Sequence, residues 1–261
     1  MASVLELSDV SFVRNGNRIL DSITWTVGEA DRWVILGPNG AGKSTILQLA
    51  AATTHPSSGT VDVLGERVGK VDVFDLRTRI GLAATGLARR IPAWERVGDV
   101  VLTAAYAVTG RWRERYESED LERAAEVMDA WDLTELSTRT FGTLSDGERK
   151  RVQIARAVMT DPELMLLDEP AGSLDLGARE SLLESLEEYA SSSLAPAIVM
   201  VTHHVEEIPP GFTHALLLSA GRVTAAGPLA EVLTDDNLTT AFGVPLQVRH
   251  EDGRWRAQAR R

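Results

Sequence analysis

Apolar and polar positions alternate through "VLELSDVSFVR" and again through "DSITWTV", the period-two pattern of strands with one face in a core. "RWVILG" is a short unbroken apolar run ending in glycine, as expected of a buried strand. "KSTILQLAAAT" follows with helical spacing, and "HPSSGTVDVLG" is turn chemistry leading into another strand. The pattern then changes. "ERVGDVVLTAAYAV" and "SEDLERAAEVMDAWDL" have helical periodicity on either side of the charged "GRWRERYESED", so residues 95–140 are predicted to be mainly helical. "FGTLSDGERKRVQIARAV" starts a further helix, with Ser145 placed to cap it and Glu148 placed to reach back to the cap. "ELMLLD" predicts a buried strand, "LGARESLLESLEEYA" a helix, and "AIVMVTH" and "HALLLSAGRV" two more strands. From Gly227 onward a short helix and a small hairpin in "VPLQVRHEDGRWRAQ" are expected. Strands alternating with helices imply an α/β fold with a parallel sheet. No internal repeat, low-complexity segment or long linker interrupts the 261 residues.

Composition narrows the function. Hydrophobic residues make up 44% and charged residues 25%, a normal globular balance. A net charge of -11 argues against a sequence-independent nucleic-acid binder, which needs a basic footprint. With no cysteine, disulfide and thiolate chemistry are excluded. The N-terminus "MASVLELSDVSF" lacks the basic-then-apolar pattern of a secretory signal. The apolar runs fall well short of the roughly 20 residues that span a bilayer. The expectation is a cytoplasmic chain, soluble or peripheral to the inner face of the cell membrane through a partner.

The chemistry is concentrated in two stretches. "GPNGAGKST" matches the P-loop pattern G-x-x-x-x-G-K-[ST] between a predicted strand and a predicted helix. Gly37, Gly40 and Gly42 let the backbone turn tightly and aim its N–H groups at phosphate oxygens. Pro38, Asn39, Ala41 and Thr45 complete the expected nucleotide cradle. Lys43 neutralises the β- and γ-phosphates, and the Ser44 hydroxyl coordinates Mg²⁺. In "LMLLDEP" the apolar run delivers Asp168 to the strand end, where it can hold Mg²⁺, and Glu169 follows, placed to polarise a water. ATP and Mg²⁺ are therefore the expected ligands.

These residues resemble the ATP-binding cassette ATPases over almost the whole chain. "GPNGAGKST" looks like the family's Walker A, "LMLLDEP" its Walker B with the catalytic glutamate at Glu169, and "GSLD" its D-loop ending in Asp175. "VTHH" looks like the switch region, with His203 as the γ-phosphate contact, and "LSDGE" like the signature motif. The resemblance implies a P-loop NTPase core with a mixed or parallel sheet, an antiparallel β subdomain and an inserted helical lobe at about residues 86–160. It implies a domain over residues 1–226 and a C-terminal extension over 227–261. It also implies that two cassettes meet head to tail, so that Ser145 and Gly147 of one face the ATP of the other; the simplest second cassette is a copy of this chain.

Four positions depart from the family pattern. No glutamine lies between Gln48 and Gln153, so Thr85 takes the place of the family's metal-contacting glutamine and could reach the metal only through water. Arg14 stands where an aromatic usually stacks on adenine; a guanidinium can stack on a base too, and an exposed loop cation is the alternative. The usual LSGGQ signature here has Asp146 and Glu148. Two functions follow from the resemblance. One is the ATP-hydrolysing subunit of a transporter, similar to importer cassettes of the metal-chelate and oxyanion group, with a separate membrane permease received at Thr85–Val97. The other is a non-transport ABC ATPase with a regulatory or mechanical role, for which the missing glutamine speaks. A gene for a multi-spanning membrane protein next door would favour the first.

Overall fold

The structure, a computed structural model, describes residues 3–260 apart from 107, 109 and 112–114. The "GRWRERYESED" stretch therefore lies partly outside the described residues. The chain opens with two long strands, β1 (Ser3–Arg14) and β2 (Asn17–Gly28), joined by a tight turn at Asn15 and Gly16. β1 pairs antiparallel with β2 on one side and with β4 (Ser58–Val63) on the other. β5 (Glu66–Arg67) completes this four-stranded antiparallel sheet in the order β2-β1-β4-β5.

The second sheet is the catalytic one. β3 (Arg32–Leu36) runs parallel to β8 (Ala197–Val201) and β9 (His214–Ser219), and β8 runs parallel to β7 (Leu164–Asp168). β6 (Ile80–Ala83) extends the sheet beside β7, and β10 (Arg222–Pro228) closes its other edge antiparallel to β9. The order is β10-β9-β3-β8-β7-β6. Alternate residues of a central strand feed two different cores, as a strand buried on both faces must. Trp33 and Ile35 of β3, with Leu164 and Leu166 of β7, pack under the antiparallel sheet with Ile46 and Leu49 of α1 (Lys43–Ala50). Val34, Leu36, Met165 and Leu167 face the opposite way, into the core built with the helical lobe.

The helical lobe is less regular than its periodicity predicts. After α2 (Val73–Thr78) and the single-turn α3 (Thr85–Ala88), the apolar run "ERVGDVVLTAAYAV" forms only α4 (Val97–Leu102) before tightening into a 3₁₀ turn at Thr103–Tyr106. α5 (Ser118–Ala130) and α6 (Asp146–Val158) carry the rest. Arg156 of α6 fastens this lobe: its buried guanidinium donates to the Val100 carbonyl at 2.7 Å, the Thr103 hydroxyl at 2.9 Å and the Val108 carbonyl at 2.5 Å. Burial there pulls its pKa down to about 10, so it stays cationic near neutrality. α7 (Leu176–Ser191) leads back to β8.

The stretch "HALLLSAGRV" is a hairpin and not the single strand its apolar run suggests. Ala220 (φ 47°) and Gly221 (φ 77°) take left-handed conformations and turn the chain between β9 and β10. Consecutive left-handed residues are what a two-residue hairpin turn requires. The tail adds α8 (Leu229–Val232), α9 (Asp235–Phe242) and the predicted hairpin, β11 (Leu246–Glu251) paired with β12 (Arg254–Ala259). Among the described residues no helix is long and apolar enough to cross a membrane.

Candidate functional site

The glycine-rich loop leaves β3 and enters α1 under pressure from two neighbours. Gly37 has φ 152°, and a Cβ there would collide with the Leu218 carbonyl of β9. Gly42 has φ 101°, and a Cβ there would meet the side chain of Leu20 from β2. Both sheets thus press the loop into shape, and only glycine tolerates that approach. Gly42 stands at the start of α1, so Lys43, Ser44 and Thr45 occupy its first turn, where free N–H groups gather. Lys43 is buried and folded back on its own loop, its Nζ donating to the carbonyls of Gly37 (2.7 Å) and Pro38 (3.0 Å). Burial lowers the Lys43 pKa, while the nearby charges of Glu169 and Asp168 oppose that shift.

β7 delivers the acids. The Ser44 hydroxyl donates to Asp168 Oδ1 at 3.4 Å, joining the P-loop to the end of β7. Burial and then the charge of Glu169 raise the Asp168 pKa, despite the Ser44 bond. A hydroxyl and a carboxylate beside a second carboxylate are hard oxygen donors in a negative, partly dry pocket, the chemistry that suits Mg²⁺. Among the described residues no group of three acidic or histidine side chains gathers to cage a metal.

Glu169 sits in the left-handed region with φ 52°, a conformation that costs an L-residue about 1–2 kcal/mol. Three bonds hold it there. Its N–H donates to the Val201 carbonyl of β8 at 2.9 Å, and its carbonyl accepts from Gly172 N–H at 3.2 Å and from Lys150 Nζ at 2.6 Å. Its Oε1 contacts His203 Nε2. The switch turn that carries His203 is built on a buried pair: the Thr202 hydroxyl donates to Glu207 Oε2, and Thr202 Oγ1 accepts from the His204 N–H. The C-terminal hairpin grips the same turn. Arg254 donates to the Glu206 carbonyl at 2.8 Å and pairs with Glu180 of α7 at 2.9 Å, and the Ala257 N–H donates to the Glu206 carboxylate at 2.9 Å.

The remaining predicted residues fall in three places. Ser145 and Glu148 form the predicted capping box at the start of α6: Ser145 N–H donates to Glu148 Oε2 at 2.7 Å, and Glu148 N–H donates to Ser145 Oγ at 3.3 Å. The Ser145 N–H bond leads in holding the Glu148 carboxyl below its ordinary pKa, with Arg139 adding to it. Asp146 is exposed and pairs with Arg149 at 3.2 Å. Asp175 caps α7 through the Ala178 N–H at 2.9 Å. Thr85 opens α3 and lines a cavity of about 540 Å³ shared with Asp146, Lys150, Glu169 and Ser173. Its neighbours Ala84 and Gly86 line a separate cleft of about 540 Å³ whose lining includes Ser44, Asp168 and Arg14. The Arg14 guanidinium lies 6.0 Å from the Phe12 ring centre. Sequence reading missed Lys150. Its only signal in the sequence is position, one turn into the helix that begins at the signature turn.

A family model described as ABC transporter matches residues 20–172, more than half of the chain. The chain belongs to the ABC transporter ATP-binding family. It is 41% identical to an uncharacterised ABC transporter ATP-binding protein, YlmA, of Bacillus subtilis (strain 168), over 94% of this chain and 93% of that one. It is 32% identical to the hemin import ATP-binding protein HmuV of Rhodococcus jostii (strain RHA1), over 95% of this chain and 82% of that one. An inward-facing putative metal-chelate type ABC transporter shares its fold with a TM-score of 0.78 at 26% identity, covering 98% of this chain and 96% of that chain. This ABC protein is thus the ATP-binding, ATP-hydrolysing subunit of a transporter, and its relatives include importer ATPases. Cassettes of the family dimerise and pair with a permease in transporter complexes.

Proposed function

We propose that two copies of this chain close head to tail over two MgATP and drive the import cycle of a separate permease, with cargo in the metal-chelate or oxyanion class. The observation that carries the chemistry is the convergence of Ser44, Asp168, Glu169 and His203 at the ends of β3, β7 and β8. In this reading the N–H groups of residues 37–45 take the phosphates, and Lys43 exchanges its two carbonyl partners for phosphate oxygens. Ser44 and Asp168 would hold Mg²⁺, and Thr85 would reach it only through water; the chemistry such an ion would supply is positive charge against the β- and γ-phosphates. Glu169 accepts a proton from the attacking water as its oxygen bonds to the γ-phosphorus, and the bond to ADP breaks. His203 holds the Glu169 carboxylate in line and offers a donor to the γ-phosphate.

Ser145 and Gly147 meet the γ-phosphate of the partner subunit, bringing a helix N-terminus to the side that its own P-loop leaves open. Asp175 serves the same interface. Arg14 contributes a flat cation to adenine. The permease docks along the helical lobe and the Thr85–Val97 stretch, where Trp94 is 77% exposed. Residues 1–226 form the ATPase unit, with a lobe at about 86–160, and 227–261 an extension. The chain works in the cytoplasm, at the inner face of the membrane.

The test is light scattering on the Glu169→Gln protein. Saturating MgATP should double its mass, because nucleotide is bound but not consumed. A protein that stays monomeric at saturating MgATP overturns the head-to-tail reading.

A further inference from the structure

Lys150 is a cation that the scheme above leaves unused. It lies one turn into α6, the helix that begins at the signature turn, and its Nζ donates to the peptide oxygen of Glu169 at 2.6 Å. Asp168, Glu169, Glu207 and Asp146 surround it with negative charge, yet it meets the backbone of the general base directly. That backbone is the left-handed one, φ 52°. Turning it to a right-handed or extended conformation would swing this carbonyl off the ammonium and re-aim the carboxylate now set against His203. The other two bonds at this residue, to Val201 and from Gly172, come from the catalytic core itself. Lys150 is the hold that arrives from the helical lobe.

We propose that Lys150 is a positioning residue that fixes the left-handed conformation of Glu169 and so ties the aim of the general base to the placement of the signature helix. When α6 is drawn toward the partner's nucleotide, the same rigid helix carries the ammonium that sets the carboxylate. One subunit's signature turn and its own Glu169 then act together, although they serve different ATP molecules. The inference rests on Glu169 acting as general base.

The test compares Lys150→Met, which removes the donor, with Lys150→Gln and Lys150→Arg, which keep one. Full-length proteins are assayed for MgATP hydrolysis, for binding of a fluorescent ATP analogue and for thermal melting, and the Met variant is crystallised. Misaiming a general base slows turnover on the order of 10- to 100-fold. Lys150→Met should therefore lose kcat by that factor while KM, analogue affinity and melting temperature stay close to wild type. The Gln and Arg variants should recover most of the rate, and Glu169 in the Met crystal should leave the left-handed region. A Met variant that keeps wild-type kcat, or whose Glu169 keeps φ near its present value, overturns the proposal. So does a Gln variant as slow as Met, or a rate loss matched by lost binding and melting. If Glu169→Gln itself hydrolysed ATP normally, the general-base reading would fail separately, while the crystallographic result on Lys150 would still decide the backbone claim.

Discussion

Lys43 and Asp146 show how much a single side chain's partners decide. The Lys43 ammonium is already bonded twice to its own loop. Nucleotide binding therefore exchanges hydrogen bonds and does not rescue an orphaned charge. Asp146 is the opposite case: a carboxylate in a turn expected to face phosphate, yet exposed and paired with Arg149. An acid in the first turn of a helix is favoured by the dipole. Its ion pair is within α6, and Asp146→Gly should leave MgATP hydrolysis within about fivefold of wild type, since a lost surface pair is worth about 0–1 kcal/mol. A much larger drop in steady-state turnover would show that the carboxylate meets the partner's ATP.

Among the elements, α6 carries the most. It starts with the capping box, supplies Lys150 and ends in the buried Arg156. Glu148→Ala removes half of the box and should lower stability by about 1 kcal/mol at neutral pH, read from the urea midpoint. Its pH dependence has a definite sign. The folded state holds this carboxyl below its ordinary value of 4.5, so the unfolded chain takes the proton first. The contribution is whole above that ordinary value and fades as pH falls through the lower folded value. The gap between wild type and Glu148→Ala should close on the acid side; a gap that persists there would mean the box acts through packing alone. The box was legible in sequence because both partners lie three residues apart on one helix. The split of "HALLLSAGRV" was not, because its apolar run continues up to a turn made by backbone conformation at Ala220. The early end of α4 and the 3₁₀ turn that follows it at Thr103–Tyr106 were hidden too, since one periodicity fits both helices over a few residues.

At the scale of the whole molecule, the P-loop and the acid-bearing strand could be read from the chain because each is a contiguous run with its own chemistry. The contacts that join them could not. Val201 against Glu169, Leu218 over Gly37 and Lys150 on Glu169 are products of strand order and lobe placement, separated by many residues in sequence. The C-terminal hairpin belongs to this class. It reaches back to Glu206, three residues past His203, and to Glu180 on α7. A chain stopped after Pro245 loses these bonds and the packing of Val248, Trp255 and Ala257. It should melt lower by about 2–4 kcal/mol of stability and hydrolyse ATP more slowly; unchanged melting and rate would show the hairpin to be a passive appendage. The hairpin also sets an order in time. A ribosome makes every residue from Gly37 to His203 before it makes Arg254, so the switch turn stays unfastened until then. The switch turn is fastened only by residues translated after every motif of the site, and a nascent chain that already owns all its motifs is not yet a finished motor.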